Sequence, residues 1–84
     1  MNKLIVFSAT WCGPCKMVKP IINQIEQENP EIKIERYDID ENQDKATMFD
    51  ITSVPTVLVV DDEEWEVKRF TGIQQKHTYV NAVQ

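Results

Sequence analysis

The sequence predicts an α/β domain: a four-stranded mixed sheet with three helices, in the order β-α-β-α-β-β-α. Three observations support this. Val and Ile supply 18 of the 84 residues, a β-branched excess that suits a sheet buried on both faces. Two short stretches, Leu4–Phe7 and Thr56–Val60, run on without polar alternation, as central strands do. After the first of them comes an apolar stripe at helical spacing and then another strand pattern, a parallel βαβ unit that is right-handed by rule.

Each element has its own signal. Leu4–Phe7 reads as a strand buried on both faces. After Trp11-Cys12-Gly13-Pro14-Cys15, a helix carries Met17, Val18, Ile21, Ile22 and Ile25 on one side and Lys16, Lys19, Gln24 and Glu28 on the other. Pro14 suits its first turn, Pro20 is expected to kink it, and Asn29-Pro30 ends it. Ile32, Ile34 and Arg36 alternate with Lys33, Glu35 and Tyr37 and lead to Ile39, a second strand. Gln43–Phe49 is a short helix, with Met48 and Phe49 expected in the core. Thr56–Val60 is the third strand, Asp61-Asp62-Glu63-Glu64 a solvated turn, and Val67–Phe70 the returning strand. A last helix spans Gln74–Val83, with Ile73, Val80 and Val83 expected on its inner side.

The chain has the length of one domain, residues 1–84, and no repeat, linker or low-complexity tract. Nine Lys and Arg against 14 Asp and Glu leave a net charge of −5, which argues against nucleic acid and anionic membrane as partners. The four apolar residues Leu4–Phe7 fall short of the roughly 7–15 in a secretory signal and the roughly 20 in a membrane span. A cytoplasmic protein is expected, with no membrane partner. With 42 % apolar residues the chain can build a core, though a domain this small buries only about 60 % of its unfolded surface. Small secreted folds often add several disulfides for that reason. This chain has two cysteines, three positions apart, and a bridge between them would close too short a loop to add much stability. Their placement points to chemistry.

Cys12 and Cys15 sit where a strand passes into a helix. Unpaired N–H groups and the positive end of the dipole favour a thiolate on Cys12, so its pKa is expected below the free value of about 8.5. Cys15 lies one turn along the same face, with its Cα inside the roughly 4.4–6.8 Å range a disulfide requires. Gly13 leaves the turn open to a substrate, Pro14 fixes it, and Lys16 adds a nearby cation. The other uses of a Cys-x-x-Cys pair fit poorly. A structural zinc site wants four Cys or His ligands, and this chain has two Cys and one His. Haem attachment wants a His after the second cysteine, where Lys16 stands. No metal and no cofactor are expected on the chain.

The pentapeptide Trp11-Cys12-Gly13-Pro14-Cys15 resembles the active-site signature of the thioredoxin family. Pro20 is similar to the proline of that family's active-site helix, and Val54-Pro55-Thr56 to its cis-proline loop. Gly72 is similar to a glycine that leaves room for substrate. The resemblance runs from about Leu4 to the C-terminus and lacks the family's leading strand and helix. It implies a cis Val54–Pro55 bond whose exposed Val54 backbone pairs with an extended substrate segment. It further implies a groove of Trp11, Gly13, Pro14, Val54, Pro55 and Gly72 around catalytic Cys12 and Cys15. The implied activity is protein-disulfide reduction, on a monomer whose dithiol is restored by a flavin- and NADPH-dependent thioredoxin reductase.

The likeness has gaps. Val6 stands where the family carries a buried Asp six residues before the first cysteine, a group held to receive the proton of the second. Ser8 replaces a frequent aromatic, and Arg36 falls near a family lysine and reads as a solvated strand residue. The acidic turn lacks the usual glycine; it reads as solvated, with a docking surface as the alternative. Asp38 and Asp40 read as a solvated carboxylate pair, and His77 as partly buried or on the surface. Two rival functions stay open. One is a glutaredoxin using glutathione, although the aromatic residue between the cysteines is absent and Thr71-Gly72-Ile73-Gln74 replaces the glutathione-binding segment. The other is a binding subunit that keeps the fold without its chemistry.

Overall fold

In a computed structural model describing residues 1–84, the first apolar run forms β1 (Lys3–Ser8), the inner strand on which the sheet is built. α1 (Gly13–Glu28) crosses over to β2 (Lys33–Asp38), which lies parallel to β1 with Lys3 opposite Lys33 and Ser8 opposite Asp38. α2 (Gln43–Met48) leads to β3 (Thr56–Val60), antiparallel to β1, and β4 (Glu66–Thr71) returns beside β3. α3 (Lys76–Val83) closes the chain. The sheet order is β2-β1-β3-β4, so the four-stranded mixed architecture follows the sequence pattern.

The period-two geometry of a strand sorts the apolar side chains to two faces. Leu4 and Val6 of β1 and Val57 and Val59 of β3 join Val18, Ile22 and Ile25 of α1 and Tyr79 and Val83 of α3 in one core. Ile5, Phe7, Leu58 and Val60 face the other way, covered by Tyr37, Ile39, Phe49 and Ile51. Phe7 anchors that smaller layer, with ring centroids 5.7 Å from Tyr37 and 5.9 Å from Phe49.

Several expectations need correction. Met17 is 64 % exposed, because the buried stripe of α1 is narrow and runs through Cys15, Val18, Ile22 and Ile25. Met48 is 62 % exposed, since α2 buries none of its residues; Phe49, just past its end, does the packing. α3 begins at Lys76 rather than Gln74, which leaves Ile73 outside the helix and exposed. Tyr79 takes its place in the core. It is fully buried, edge-on to Phe70 at 5.4 Å, with its hydroxyl accepting the Gln74 N–H at 3.0 Å. Burial raises the pKa of that hydroxyl. Opposite Val59 and Val60 the register of β4 shifts, which leaves Val67 unpaired and exposed. α1 is continuous through Pro20, which lies on its exposed side.

Candidate active site

The redox turn is made by the end of β1 and the start of α1. Past Ser8 the chain turns tightly, with the Cys12 N–H donating to the Ala9 carbonyl at 3.2 Å. Cys12 is the N-cap of α1, in extended backbone conformation, and its Sγ accepts the Cys15 N–H at 3.2 Å. A sulfur at this position meets a free donor and the positive end of the helix together, an arrangement that stabilises a thiolate in the reduced protein. Pro14 occupies the first turn, where its missing N–H costs no helical bond. Cys12 and Cys15 form a disulfide with Cα atoms 5.3 Å apart. They are 5 % and 7 % exposed and share a small cluster with Ala9, flanked by Ile39 and Val54.

The proline loop reaches the same end of the sheet. The Val54–Pro55 peptide is cis, Pro55 is buried, and Val54 packs against the cysteine cluster. The Pro55 carbonyl accepts the Gly72 N–H at 2.9 Å, and the Thr56 hydroxyl donates to the Ser53 carbonyl at 2.8 Å. Gly72 has φ +82°, a conformation L side chains rarely adopt, although a Cβ there would meet nothing within 4 Å. Backbone conformation is therefore the reason for glycine at 72. At Gly13 a Cβ would also meet nothing within 4 Å, in keeping with an open turn. Trp11 is 67 % exposed beside the cysteines, and Gly13 and Pro14 are exposed as well. The predicted groove residues thus share one end of the molecule.

Two contacts have no sequence signal. The Trp11 indole donates its Nε1–H to Asp40 Oδ2 at 3.0 Å, so Asp40 orients the exposed ring. Arg69 of β4 donates to the carbonyls of Phe49 and Asp50, capping the end of α2 where the proline loop begins. Glu66 steadies Arg69 at 2.8 Å, and that pairing lowers the Glu66 pKa. Asp38 and Asp40 are therefore more than a solvated pair, since Asp38 Oδ1 accepts the backbone N–H groups of Asp40 and Glu41. Arg36 is exposed as expected but tied to α1, with Asn23 at 2.9 Å and Glu26 at 3.5 Å. In the acidic turn Asp61 holds two backbone N–H groups and Glu64 pairs with Lys3. His77 lies on the surface of α3. Nowhere do three or more His, Cys, Asp or Glu side chains stand together as metal ligands.

A helix-capping cysteine pair after a buried strand, facing a cis-proline loop, defines a thiol–disulfide oxidoreductase. The family model described as Thioredoxin matches residues 1–84. A thioredoxin of Bacillus subtilis (strain 168) is 46 % identical over 78 residues, 92 % of this chain and 74 % of the relative. A thioredoxin of Chlamydia pneumoniae is 36 % identical over 80 residues, covering 95 % of this chain and 78 % of the relative. Among solved structures, the thioredoxin of Fasciola hepatica superposes with a TM-score of 0.88 at 29 % identity, covering 98 % of this chain and 77 % of its own. The chain belongs to the thioredoxin family. Its Cys12–Cys15 pair is the redox-active disulfide of a disulfide oxidoreductase.

Proposed function

We propose that this chain reduces disulfides of partner proteins, with Cys12 as nucleophile and Cys15 as resolving thiol. The observation that carries the assignment of roles is the Cys15 N–H donating to Cys12 Sγ at 3.2 Å, which favours charge on Cys12 over Cys15. Cys12 thiolate attacks one sulfur of the substrate disulfide and the other leaves as a thiolate, giving a mixed disulfide. Cys15, as thiolate, then attacks Cys12 Sγ, releases the second substrate thiolate and closes the Cys12–Cys15 bond. Two electrons pass from the dithiol to the substrate. Trp11, Gly13, Pro14, Val54, Pro55 and Gly72 form the groove, and the Val54 backbone pairs with an extended substrate segment. A flavin- and NADPH-dependent thioredoxin reductase returns the electrons. The protein acts as a cytoplasmic monomer, and no helix is long and apolar enough to cross a membrane.

The test is reduction of insulin disulfides with either thioredoxin reductase and NADPH or glutathione as donor. Turnover with the reductase, abolished by Cys12→Ser and stalled at a mixed disulfide by Cys15→Ser, is expected. Turnover with glutathione alone overturns the donor assignment. Full biological function in the double Cys→Ser variant overturns the catalytic reading itself.

A further inference from the structure

A resolving thiol must lose its proton before it can attack, and Cys15 is buried with no acidic or basic side chain hydrogen-bonded to its sulfur. Val6 of β1, which lines the same cavity, is apolar. Cys15 does, however, border a cavity of about 410 Å³, large enough to admit water. Val6, Val18 and Ile22 make the apolar floor of this cavity. Its charged wall is Lys16 and Lys19 from α1 and Arg36 and Asp38 from β2; Ser8 and Pro55 add no titratable group.

Asp38 is the one carboxylate in that wall. Its Oδ1 is fixed by the N–H groups of Asp40 at 2.8 Å and Glu41 at 3.2 Å, while Oδ2 accepts no hydrogen bond. Nor is Asp38 consumed by an ion pair, because Arg36 turns its guanidinium to Asn23 and Glu26 instead. The strand geometry explains the placement. Arg36 and Asp38 stand two residues apart on β2, so both face α1, and Asp38 pairs in register with Ser8, beside the redox turn.

We propose that Asp38 is the base that receives the Cys15 proton, through a water in this cavity, as Cys15 resolves the mixed disulfide. The proposal rests on the roles of Cys12 and Cys15 given above. The Cys15 S–H bond breaks, its proton passes by way of the water to Asp38 Oδ2, and the sulfur keeps the electron pair. That pair forms the bond to Cys12 Sγ while the bond from Cys12 to the substrate sulfur breaks. The departing substrate thiolate takes a proton from solvent, and Asp38 returns its own to solvent through the cavity. Lys16, Lys19 and Arg36 favour the transient thiolate by their positive charge.

A rapid-quench experiment on the full chain separates the two phases. The reduced protein is mixed with a disulfide-bridged peptide, quenched with acid, and the mixed disulfide is followed by mass spectrometry. Asp38→Asn keeps an oxygen where Asp40 and Glu41 need an acceptor, so the turn is preserved while the base is removed. Formation of the mixed disulfide is expected to be unchanged in this variant, and its decay at neutral pH slower by about tenfold or more. The decay rate of the unaltered protein is expected to vary little between about pH 6 and 8, whereas that of the variant climbs with pH as thiolate accumulates. In Asp38→Ala, formate is expected to restore part of the lost rate. Decay of Asp38→Asn at the unaltered rate, or slow decay with the original pH profile, overturns the role of Asp38. Absence of a trapped mixed disulfide in Cys15→Ser overturns the assignment of Cys12, and this proposal with it.

Discussion

The two faces of the sheet are built by different means. Toward α1 and α3, ten buried residues form one continuous core that draws on four of the seven elements and the Ile32 loop. Toward α2, four buried strand residues are covered by Tyr37, Ile39, Phe49 and Ile51, while the six-residue helix itself buries nothing. That second face also carries polar ties. Lys3 bonds Glu35 at 2.6 Å, Tyr37 donates to Glu35 at 2.8 Å, Lys45 lies over the Tyr37 ring, and Arg69 caps the end of α2. The active site joins the two. Both cysteines stand on the helix of the deep core, while the proline loop comes off the tied face. The redox pair thus stands on the deeply packed side of the sheet and the proline loop on the side with the smaller core.

The contrast can be broken at either face. Ile22→Ala cuts into the deep core and is expected to cost about 2–5 kcal/mol, read from the urea midpoint. Met48→Ala, on the exposed surface of α2, is expected within about 0.5 kcal/mol of the unaltered protein. Equal effects from these two would erase the distinction. Arg69→Leu frees the end of α2 at a cost of about 1 kcal/mol, because water can reach the released carbonyls. Its larger signature is kinetic: a several-fold rise in KM for a protein disulfide with kcat unchanged. An unchanged KM would mean that the clasp does not set the loop.

A further expected effect concerns pH. The Lys3 hydrogen bond holds the Glu35 carboxyl below its ordinary pKa of 4.5. A lowered pKa stabilises the fold above the unfolded value, and the contribution is lost as pH falls through the folded one. Glu35→Gln is therefore expected to cost less than about 1 kcal/mol at neutral pH and to flatten the loss of stability on acidification. Urea midpoints at neutral and acidic pH measure both.

Much of this molecule was legible in its residues. The unalternating runs at Leu4–Phe7 and Thr56–Val60 became β1 and β3, and the pentapeptide at Trp11–Cys15 became the helix cap it resembled. Misplacements came where an apolar residue could go either way. Met17, Met48 and Ile73 have hydropathy suited to a core, yet the space beneath them was already filled or never enclosed. Tyr79 was missed because its polar hydroxyl conceals a large apolar body, which the core takes in once Gln74 supplies a partner.

Local chemistry can be read along a chain because it depends on neighbours a few bonds away. Helix caps, strand periodicity and the spacing of two cysteines are of this kind. The Asp40 contact to Trp11 joins residues 29 apart, and Arg69 reaches back 20 residues to Phe49. The cavity that unites Cys15 with Asp38 exists only when β1, β2 and α1 are packed together. Sequence alone therefore specified the fold class and the reacting sulfurs. Which side chains orient the tryptophan, cap the end of α2 and border Cys15 was decided by tertiary packing, because those partners meet only after the sheet has formed.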